Sequence, residues 1–214
     1  MSNRRREQQE ALDNWKARTE LGKMVQSGQI TSIFEIFNEG YPIKEVEIID
    51  ILVPDLRDEV IDINLVQKQT DAGERSRFRA IVAVGNGDGL IGIGAGKAPR
   101  VRNAIEKGIR NAKMSLYPIR RGCGSWECDC GEPHTLPFKV KGKSGSVTVT
   151  LLPAAKGLGL VAGDTAKVVL TLAGIKDSWS KSIGHTSTPT SFAFATFNAL
   201  KQTMKIMTPS DWVA

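Results

Sequence analysis

Four side chains of the kind that bind transition metals lie within twelve residues: Cys123, Cys128, Cys130 and His134. Three thiolates and one imidazole have the ligand number and softness that a tetrahedral structural zinc ion prefers. The spacing is not the usual pair of C-x2-C knuckles, and a single residue between Cys128 and Cys130 strains their binding to one ion. Two interpretations stay open, namely one structural zinc site or a reduced, metal-free connector. Any zinc here would stabilise a loop, because all four positions would be protein ligands.

The number of cysteines also indicates whether the protein occupies a reducing or an oxidising compartment. Three clustered cysteines are an odd number, which argues against a disulfide framework and for a reducing environment. The N-terminal arginines, residues 4–6, precede a polar segment and not an apolar signal core. No apolar run approaches the roughly 20 residues that a membrane helix needs. We therefore expect a cytoplasmic protein without a membrane partner.

A second group of side chains has the chemistry to bind phosphate. Arg75, Arg77 and Arg79 alternate along one face of a predicted strand. Lys97 follows two glycines where the next strand is predicted to lead into a helix, and a helix start offers free backbone N–H groups to an anion. No acid–base or nucleophilic set accompanies these cations. The pattern favours a phosphate-backbone binder over an enzyme.

Two glycine motifs resemble nucleotide sites but lack the required context. Gly87-x-Gly89-x-x-Gly92 matches the dinucleotide fingerprint, yet it bridges two predicted strands instead of opening a helix, so it indicates a tight hairpin. A P-loop ending at Lys97 would need a glycine where Ile91 stands and a hydroxyl after the lysine.

The loop around Gly157-Leu158-Gly159 loosely resembles the glycine loop of small-molecule kinases of the galactokinase and homoserine kinase type. Those loops continue with serines, whereas Leu160 and Val161 offer no hydroxyl to a phosphate or a metal. We expect no nucleotide cofactor. A nucleotide-using kinase relative remains an alternative that an ATP-binding assay would test.

The net charge of +6 is unevenly distributed along the 214 residues. Residues 1–56 hold 7 basic and 10 acidic side chains, residues 57–143 hold 16 and 10, and residues 144–214 hold 6 and 3. The middle and the tail therefore suit a polyanionic partner, whereas the acidic first quarter is typical of a solvated or protein-binding extension.

Hydrophobic periodicity and turn residues predict the elements that position these groups. Helices are predicted over residues 7–26, 31–37, 44–53 (with a strand as the alternative), 99–116, from near 164, and 189–207. Strands are predicted over residues 60–69, 78–84, 90–93 and 146–152. Phe78, Ala80, Val82 and Val84 form the expected buried face of the second strand. The helix over 99–116 carries a basic side, which consists of Arg100, Asn103, Lys107 and Arg110.

These elements suggest four segments. They are a helical acidic N-terminal extension (1–56), a first domain (57–122), a Cys-rich linker (123–144) and a C-terminal domain (145–214). Residues near Ser180 to Thr188 are polar and small, and Trp212 is expected to be packed.

Two sets of motifs resemble the ribosomal protein S-five (S5) family of the small subunit. The first set runs from Val66-Gln67-Lys68-Gln69-Thr70 through Val84-Gly85-Asn86-Gly87-Asp88-Gly89 to Gly94-Ala95-Gly96-Lys97-Ala98. The second contains Gly145-Ser146-Val147, the run from Pro153 to Gly159, Ala173-Gly174-Ile175 and Gly184-His185-Thr186. The resemblance covers about residues 57–205, and the N-terminal extension with the insert at 126–134 looks like the archaeal and eukaryotic branch.

The resemblance implies an α+β protein. Its N-terminal domain would be similar to double-stranded-RNA-binding folds, and its C-terminal domain would contain a left-handed β-α-β crossover. It further implies a structural, rRNA-binding role near the decoding region and the messenger entry, with effects on subunit assembly and reading accuracy. The neighbours would be ribosomal proteins S-four, S-eight, S-two and S-three, with contact to the mRNA path.

Charge and the resemblance together select candidate RNA-binding residues, with the segment from Lys68 to Arg77 as the family's extended loop. They are Lys68, Gln69, Thr70, Arg75, Arg77, Arg79, Lys97, Arg100, Lys107, Arg110, Arg120, Arg121, Lys139, Lys143, Lys156, Lys181 and His185. A free regulatory RNA-binding module acting outside the ribosome is the alternative to a ribosomal protein.

Overall fold

The computed structural model describes residues 15–128 and 130–206. It divides the chain into two compact units, Met1–Leu56 and Arg57–Ala214. Helices and two four-stranded sheets combine in it, which confirms the predicted α+β class. Within the described ranges, no helix has both the length and the apolar character needed to cross a bilayer.

Residues 15–56 of the first unit form three short helices: α1 (Glu20–Gln26), α2 (Ile33–Glu39) and α3 (Val46–Leu52). Their apolar sides meet in a small core that includes Leu21, Ile36 and Ile48. The helix predicted over residues 44–53 is thereby confirmed over 46–52, and the strand alternative is excluded there.

The prediction of one continuous helix over 7–26 is wrong for residues 15–19, which are not helical. Thr19 caps α1 by accepting a hydrogen bond from the Gly22 N–H at 3.1 Å. The Glu45 carboxylate accepts the N–H groups of Arg18 and Thr19 at 3.0 and 2.7 Å, so those groups are bonded outside any helix. Residues 7–14 lie outside the described residues.

The second unit begins with an antiparallel sheet in the order β1-β2-β3-β4. Its strands are β1 (Arg57–Thr70), β2 (Gly73–Gly85), β3 (Leu90–Ala98) and β4 (Tyr117–Pro118), and helix α4 (Val101–Met114) covers one face. Strands β1 and β2 run well past the end of β3, because β3 pairs with β2 only from Phe78 to Gly85. The far part of β1 and β2 is therefore a two-stranded ribbon.

The step from Gly94 to Lys97, which the sequence places between the third strand and the helix, forms the last part of strand β3. Gly94 and Gly96 pair with β2, and a Cβ at either position would overlap the backbone of α4. These glycines therefore permit close strand–helix packing. The helix begins at Val101 and ends at Met114, two residues inside each predicted end.

Strand β2 is buried on both faces, not only on the predicted one. Ala80 and Val82 face α4, where Val82 lies against Gly108. Ile81 and Ala83 point to the other face and join the main core of the unit. Phe78 is only partly buried at the edge of the α4 face.

The second sheet has the order β5-β6-β8-β7. Its strands are β5 (Val140–Ser144), β6 (Val147–Pro153), β7 (Leu160–Val161) and β8 (Ser178–Ile183). Only β6 was predicted; β5 falls in the predicted linker, and most of β8 in a stretch described as polar and small. Helix α5 (Asp164–Ala173) connects the parallel neighbours β7 and β8, which gives the expected β-α-β unit.

Helix α6 (Pro189–Lys201) is shorter than the helix predicted over 189–207. A 3-10 turn over Gln202–Lys205 follows it, and Met207 and Trp212 lie outside the described residues. Helix α5 begins at Asp164, as the sequence predicts, and Gly163 is its N-cap. One hydrophobic core joins both sheets of this unit, with Ile81 and Ile91 from the first and Val149 and Leu151 from the second.

Candidate metal centre and nucleic-acid interface

The Cys-rich segment folds back on itself next to the second sheet. The N–H of Gly122 donates to the Thr135 carbonyl at 2.9 Å, and the Thr135 N–H donates in return at 3.0 Å. The Gly124 N–H donates to Leu136 at 3.1 Å, and no larger residue fits here because a Cβ would overlap the Pro137 carbonyl. This backbone pairing places Cys123 beside His134.

The four predicted metal ligands converge on one point. One ligand atom from each of Cys123, Cys128, Cys130 and His134 lies within 4.8 Å of all the others. The Cys128 Sγ and His134 Nε2 atoms are 3.8 Å apart. With Zn–S bonds of about 2.3 Å and Zn–N bonds of about 2.0 Å, a tetrahedral site separates two sulfurs by about 3.8 Å and a sulfur from a nitrogen by about 3.6 Å, so the arrangement suits one ion. All three cysteines are free thiols.

Asp177, which the sequence did not single out, completes the centre. Its Oδ2 lies 2.8 Å from His134 Nδ1, and both side chains are buried. An ionised carboxylate only accepts, so Nδ1 carries the proton and Nε2 is left to face the thiols. A carboxylate behind a histidine in this way fixes the tautomer of metal-binding histidines.

The other oxygen of Asp177 binds the glycine loop after β6. Its Oδ1 accepts the N–H groups of Gly157 and Gly159 at 3.1 and 2.7 Å. An internal carboxylate thus occupies the donors that a nucleotide phosphate would use. The backbone donors of the hairpin at 86–89 are also occupied within the chain. The N–H groups of Gly87 and Gly89 donate to the carbonyls of Leu172 and Ala173 at 2.9 and 3.1 Å.

The local hydrogen bonds separate the pKa values of the thiols. The backbone N–H of Lys156, followed by bonds from Cys130 and other neighbours, lowers the pKa of Cys128 to about 6. The Glu132 N–H lowers the pKa of Cys130, but bonds and charge from the neighbouring thiols, with burial, raise it to about 11. Cys128 is therefore the more acidic of the two thiols, and binding of an ion to the cluster would release protons.

Histidine 134 is subject to opposing effects. Burial lowers its pKa, but bonds to Cys123, Cys128 and Asp177 together raise the pKa above its usual value. The residues present fit a closed structural site with four protein ligands. Such an ion would hold the segment in place and leave no position for a substrate.

Five cations of the first sheet lie on one face, which we call the cationic ribbon: Lys68, Arg75, Arg77, Arg79 and Lys97. Lys68 is opposite Arg75 on the neighbouring strand, and Arg79 is opposite Lys97. Directly opposed residues of antiparallel strands point to the same side, and so do residues two apart. The structure thus brings these five predicted residues together.

The basic side of α4 is on the other face of the same sheet. Arg100, Lys107 and Arg110 are exposed on the helix, which packs on the Ala80 and Val82 side. The cations of the cationic ribbon instead lie on the opposite face, which is the face of β2 that carries Ile81. The cationic ribbon and the basic side of α4 therefore form two separate surfaces on opposite faces of the first sheet.

Several other predicted RNA-binding residues have partners within the chain. Arg121 bonds to Asp88 and to the Gly174 carbonyl, and Arg120 donates to the Ile206 carbonyl at 3.1 Å. Lys156 pairs with Glu132 at 2.7 Å on the surface. That pair raises the pKa of Lys156 and, mainly through the hydrogen bond, lowers the pKa of Glu132.

The remaining predicted residues differ in setting. Thr70 donates its hydroxyl to the Gly73 carbonyl at 2.7 Å and closes the ribbon turn, while Gln69 is opposite Glu74. His185 lies in an exposed loop with its Nε2 3.1 Å from the Ser187 hydroxyl. Lys139, Lys143 and Lys181 are exposed.

Comparison with known proteins bears directly on this fold. Residues 56–120 match the family described as "Ribosomal protein S5, N-terminal domain", and residues 142–210 match its C-terminal domain. The chain belongs to the ribosomal protein S5 family. The resemblance seen in the motifs is confirmed, and because S5 proteins are ribosomal proteins, so is the expectation of a non-enzyme.

Individual S5 relatives match almost the whole chain. The small ribosomal subunit protein uS5 of Ignicoccus hospitalis is 59% identical over 95% of this chain and 96% of its own length. The protein of the same name from Pyrobaculum islandicum is 61% identical over 90% and 95%, and that of Sulfurisphaera tokodaii is 56% identical over 94% of each. The four metal ligands lie between the two matched S5 domains, whereas Asp177 belongs to the second domain.

Proposed function

We propose that this S5 protein is a structural component of the small ribosomal subunit that binds small-subunit rRNA through its phosphate backbone. The cationic ribbon carries this proposal. Its five cations share one face, and none forms an ion pair within the described part of the chain. Five cations on one face, three of them on the two-stranded extension of β1 and β2, suit the closely spaced phosphates of folded RNA.

Family membership supports the finer placement. We infer a position near the decoding region and the mRNA entry, with ribosomal proteins S-four, S-eight, S-two and S-three as neighbours. Roles in subunit assembly and reading accuracy would follow from that position. The two matched domains also support the division of residues 57–214 into an N-terminal domain, a Cys-rich linker and a C-terminal domain.

We further propose that Cys123, Cys128, Cys130 and His134 hold one structural zinc ion. The convergence of their ligand atoms within 4.8 Å and the carboxylate behind His134 support it. The ion would fix the linker against the C-terminal domain.

Sedimentation tests the ribosomal role. Small subunits from cells that express this chain should retain it through a high-salt wash on a sucrose gradient. A free regulatory RNA-binding module would instead remain at the top of the gradient. Recovery of the chain only in the top fractions would reject the ribosomal proposal.

Metal analysis tests the zinc site separately. Protein purified without chelators should contain about one equivalent of zinc, and the Cys128→Ser variant should contain much less. Less than about a tenth of an equivalent in the unaltered protein would reject a structural zinc site and favour the metal-free connector.

A further inference from the structure

The second sheet has one face in the core and one face in solvent. Val147, Val149 and Leu151 of β6 are fully buried in the main core. On the same side, a Cβ at Gly142 would overlap the backbone of α6, so this face is closely covered. The alternate residues of β5, β6 and β8 point the other way.

Cross-strand pairing arranges these outward residues in rows. Thr150 on β6 is flanked by Lys141 on β5 and Lys181 on β8. One row along, Thr148 is flanked by Lys143 and Ile183. Because neighbouring strands are about 4.8 Å apart, two lysines across a row have backbones roughly 10 Å apart.

A large aromatic side chain lies on the same side. Trp179 is opposite Leu152 and is 45% exposed, and Ile183 farther along β8 is 57% exposed. We call Lys141, Lys143, Lys181, Trp179 and Ile183 the open face. An apolar platform of this kind on a sheet is the surface on which an unpaired base can stack.

The charge of the open face is of one sign. The segments Val140–Ser144, Val147–Pro153 and Ser178–Ile183 contain no aspartate or glutamate. Among the described residues, no carboxylate is within 4.0 Å of the ammonium groups of Lys141, Lys143 or Lys181. An acid-free row of lysines complements a phosphate backbone and not the mixed surface of an average protein.

We propose that the open face binds an unpaired, single-stranded segment of RNA, with a base stacked on Trp179 and phosphates neutralised by the three lysines. Paired bases inside a duplex cannot present a free face to Trp179, so the site selects single strands. This inference rests on the proposed RNA-binding function and adds a second surface with a different RNA class.

Binding assays on the purified full chain test the stacking. A single-stranded oligouridylate of about 12 nucleotides and a duplex of similar length serve as probes. Trp179→Ala should weaken single-strand binding roughly tenfold and leave duplex binding unchanged, while Trp179→Phe should retain most of the affinity. Trp126→Ala is the matched control, because Trp126 is 92% exposed and lies outside the sheet.

The lysines are tested by salt dependence. Lys141→Gln with Lys181→Gln should flatten the log–log salt slope for the single strand by about one to one and a half units. Lys167→Gln with Lys205→Gln removes the same charge from exposed positions outside the open face and should leave the slope unchanged. Thermal unfolding of each variant separates a folding defect from a binding defect.

Distinct results overturn the inference. Equal loss of single-strand and duplex binding in Trp179→Ala, or no loss at all, would remove the stacking site. Burial of Trp179 by another polypeptide in assembled subunits, without ultraviolet crosslinking to RNA, would also overturn it. Duplex binding without single-strand binding rejects this inference alone, whereas binding to neither probe rejects the proposed RNA function as well.

Discussion

Asp177 joins two parts of the chain with one carboxylate. Its Oδ2 accepts a hydrogen bond from His134, and its Oδ1 accepts the N–H groups of Gly157 and Gly159. The Asp177 side chain is buried, so both sets of bonds are made away from solvent. Neutralising this residue would weaken the alignment of the histidine and the binding of the loop together.

We predict that Asp177→Asn lowers zinc affinity by roughly 10- to 100-fold. Loss of the carboxylate behind a metal-binding histidine reduces the basicity of the imidazole and its orientation toward the ion. Competition against a chromophoric chelator measures the change. Asp164→Asn, at an exposed carboxylate on α5, is the control and should bind zinc as the unaltered protein does. An unchanged affinity in Asp177→Asn would show that the carboxylate does not support the site.

The cationic ribbon leads to a prediction about salt. Replacing Arg75, Arg77 and Lys97 with Ala should flatten the log–log salt slope for an rRNA fragment by roughly two to three units, since each phosphate contact contributes about 0.7–0.9. Fluorescence anisotropy across a salt series measures the slope.

The control for the ribbon variant removes the same charge elsewhere. The triple alanine variant at the exposed lysines 167, 176 and 205 should keep the slope of the unaltered chain. The same slope in the ribbon variant would place this face outside the RNA interface.

At the residue scale, sequence reasoning found what is local and missed what is distant. The four metal ligands fall within twelve residues and could be recognised from chemistry and spacing. Asp177 is 43 residues beyond His134, and nothing in its neighbourhood indicates a buried carboxylate. Arg121 carries the right charge for RNA, but its bonds to Asp88 and Gly174 depend on tertiary packing.

Close packing between β3 and α4 sets the arrangement of the first sheet. The carbonyl of Ala104 and the N–H of Gly108 approach Gly96 so closely that no side chain fits. A similar approach occurs at Gly94. The helix thus lies nearer to the sheet than ordinary side chains would allow, and β3 depends on glycine at these points.

We predict that Gly96→Ala destabilises the protein by about 3 kcal/mol, because the added methyl group forces the strand and the helix apart. Urea denaturation followed by circular dichroism gives the change in free energy of unfolding. Gly122→Ala is the control, since a Cβ there would meet its neighbours at 3.4 Å or more, and it should change stability by less than about 0.5 kcal/mol. A neutral Gly96→Ala would contradict the close approach.

At the element scale, the sequence predicts elements with strong hydrophobic periodicity well, but it does not predict strands with many polar residues. Helix α4 and strand β6 were predicted close to their observed bounds. Strands β5 and β8 were missed because lysines and serines occupy their outward positions, so the apolar alternation is incomplete. The predicted third strand ends at Ile93 and omits Gly94 and Gly96, because the close packing against α4 that requires these glycines is defined only by the fold.

A continuous core joins the two S5 domains at the scale of the whole molecule. Ile81 and Ile91 from the first sheet pack in the same buried cluster as Val149 and Leu170 from the C-terminal part. Each domain therefore relies on the other to keep its apolar surface from water.

We predict that the two sheets unfold together. The amides of Ile81 and Val82 in β2 and those of Val149 and Leu151 in β6 should show the same opening free energy in native-state hydrogen exchange. Amide exchange followed by nuclear magnetic resonance across low denaturant concentrations measures it. Opening energies that differ by more than about 2 kcal/mol would indicate two domains with separate stability.

Periodicity does not show whether the apolar residues of the two sheets form one core or two, and the structure places them in one main cluster. Ile81 and Ala83 of the first sheet belong to that cluster. In the sequence their face of β2 is indistinguishable from a solvent-exposed face, because Arg75, Arg77 and Arg79 lie on the same face of the strand. The family resemblance supplied the α+β class and the β-α-β unit, which local periodicity does not determine.

The order of synthesis gives the proposed metal centre a further consequence. All four ligands have been translated once residue 134 has been added, whereas Asp177 follows 43 residues later. At bacterial-like elongation rates of about 5–20 residues per second, that interval is on the order of several seconds. A nascent chain would thus contain all four ligands before it contains the carboxylate that orients His134, and the centre would be complete only after about half of the C-terminal domain has been made.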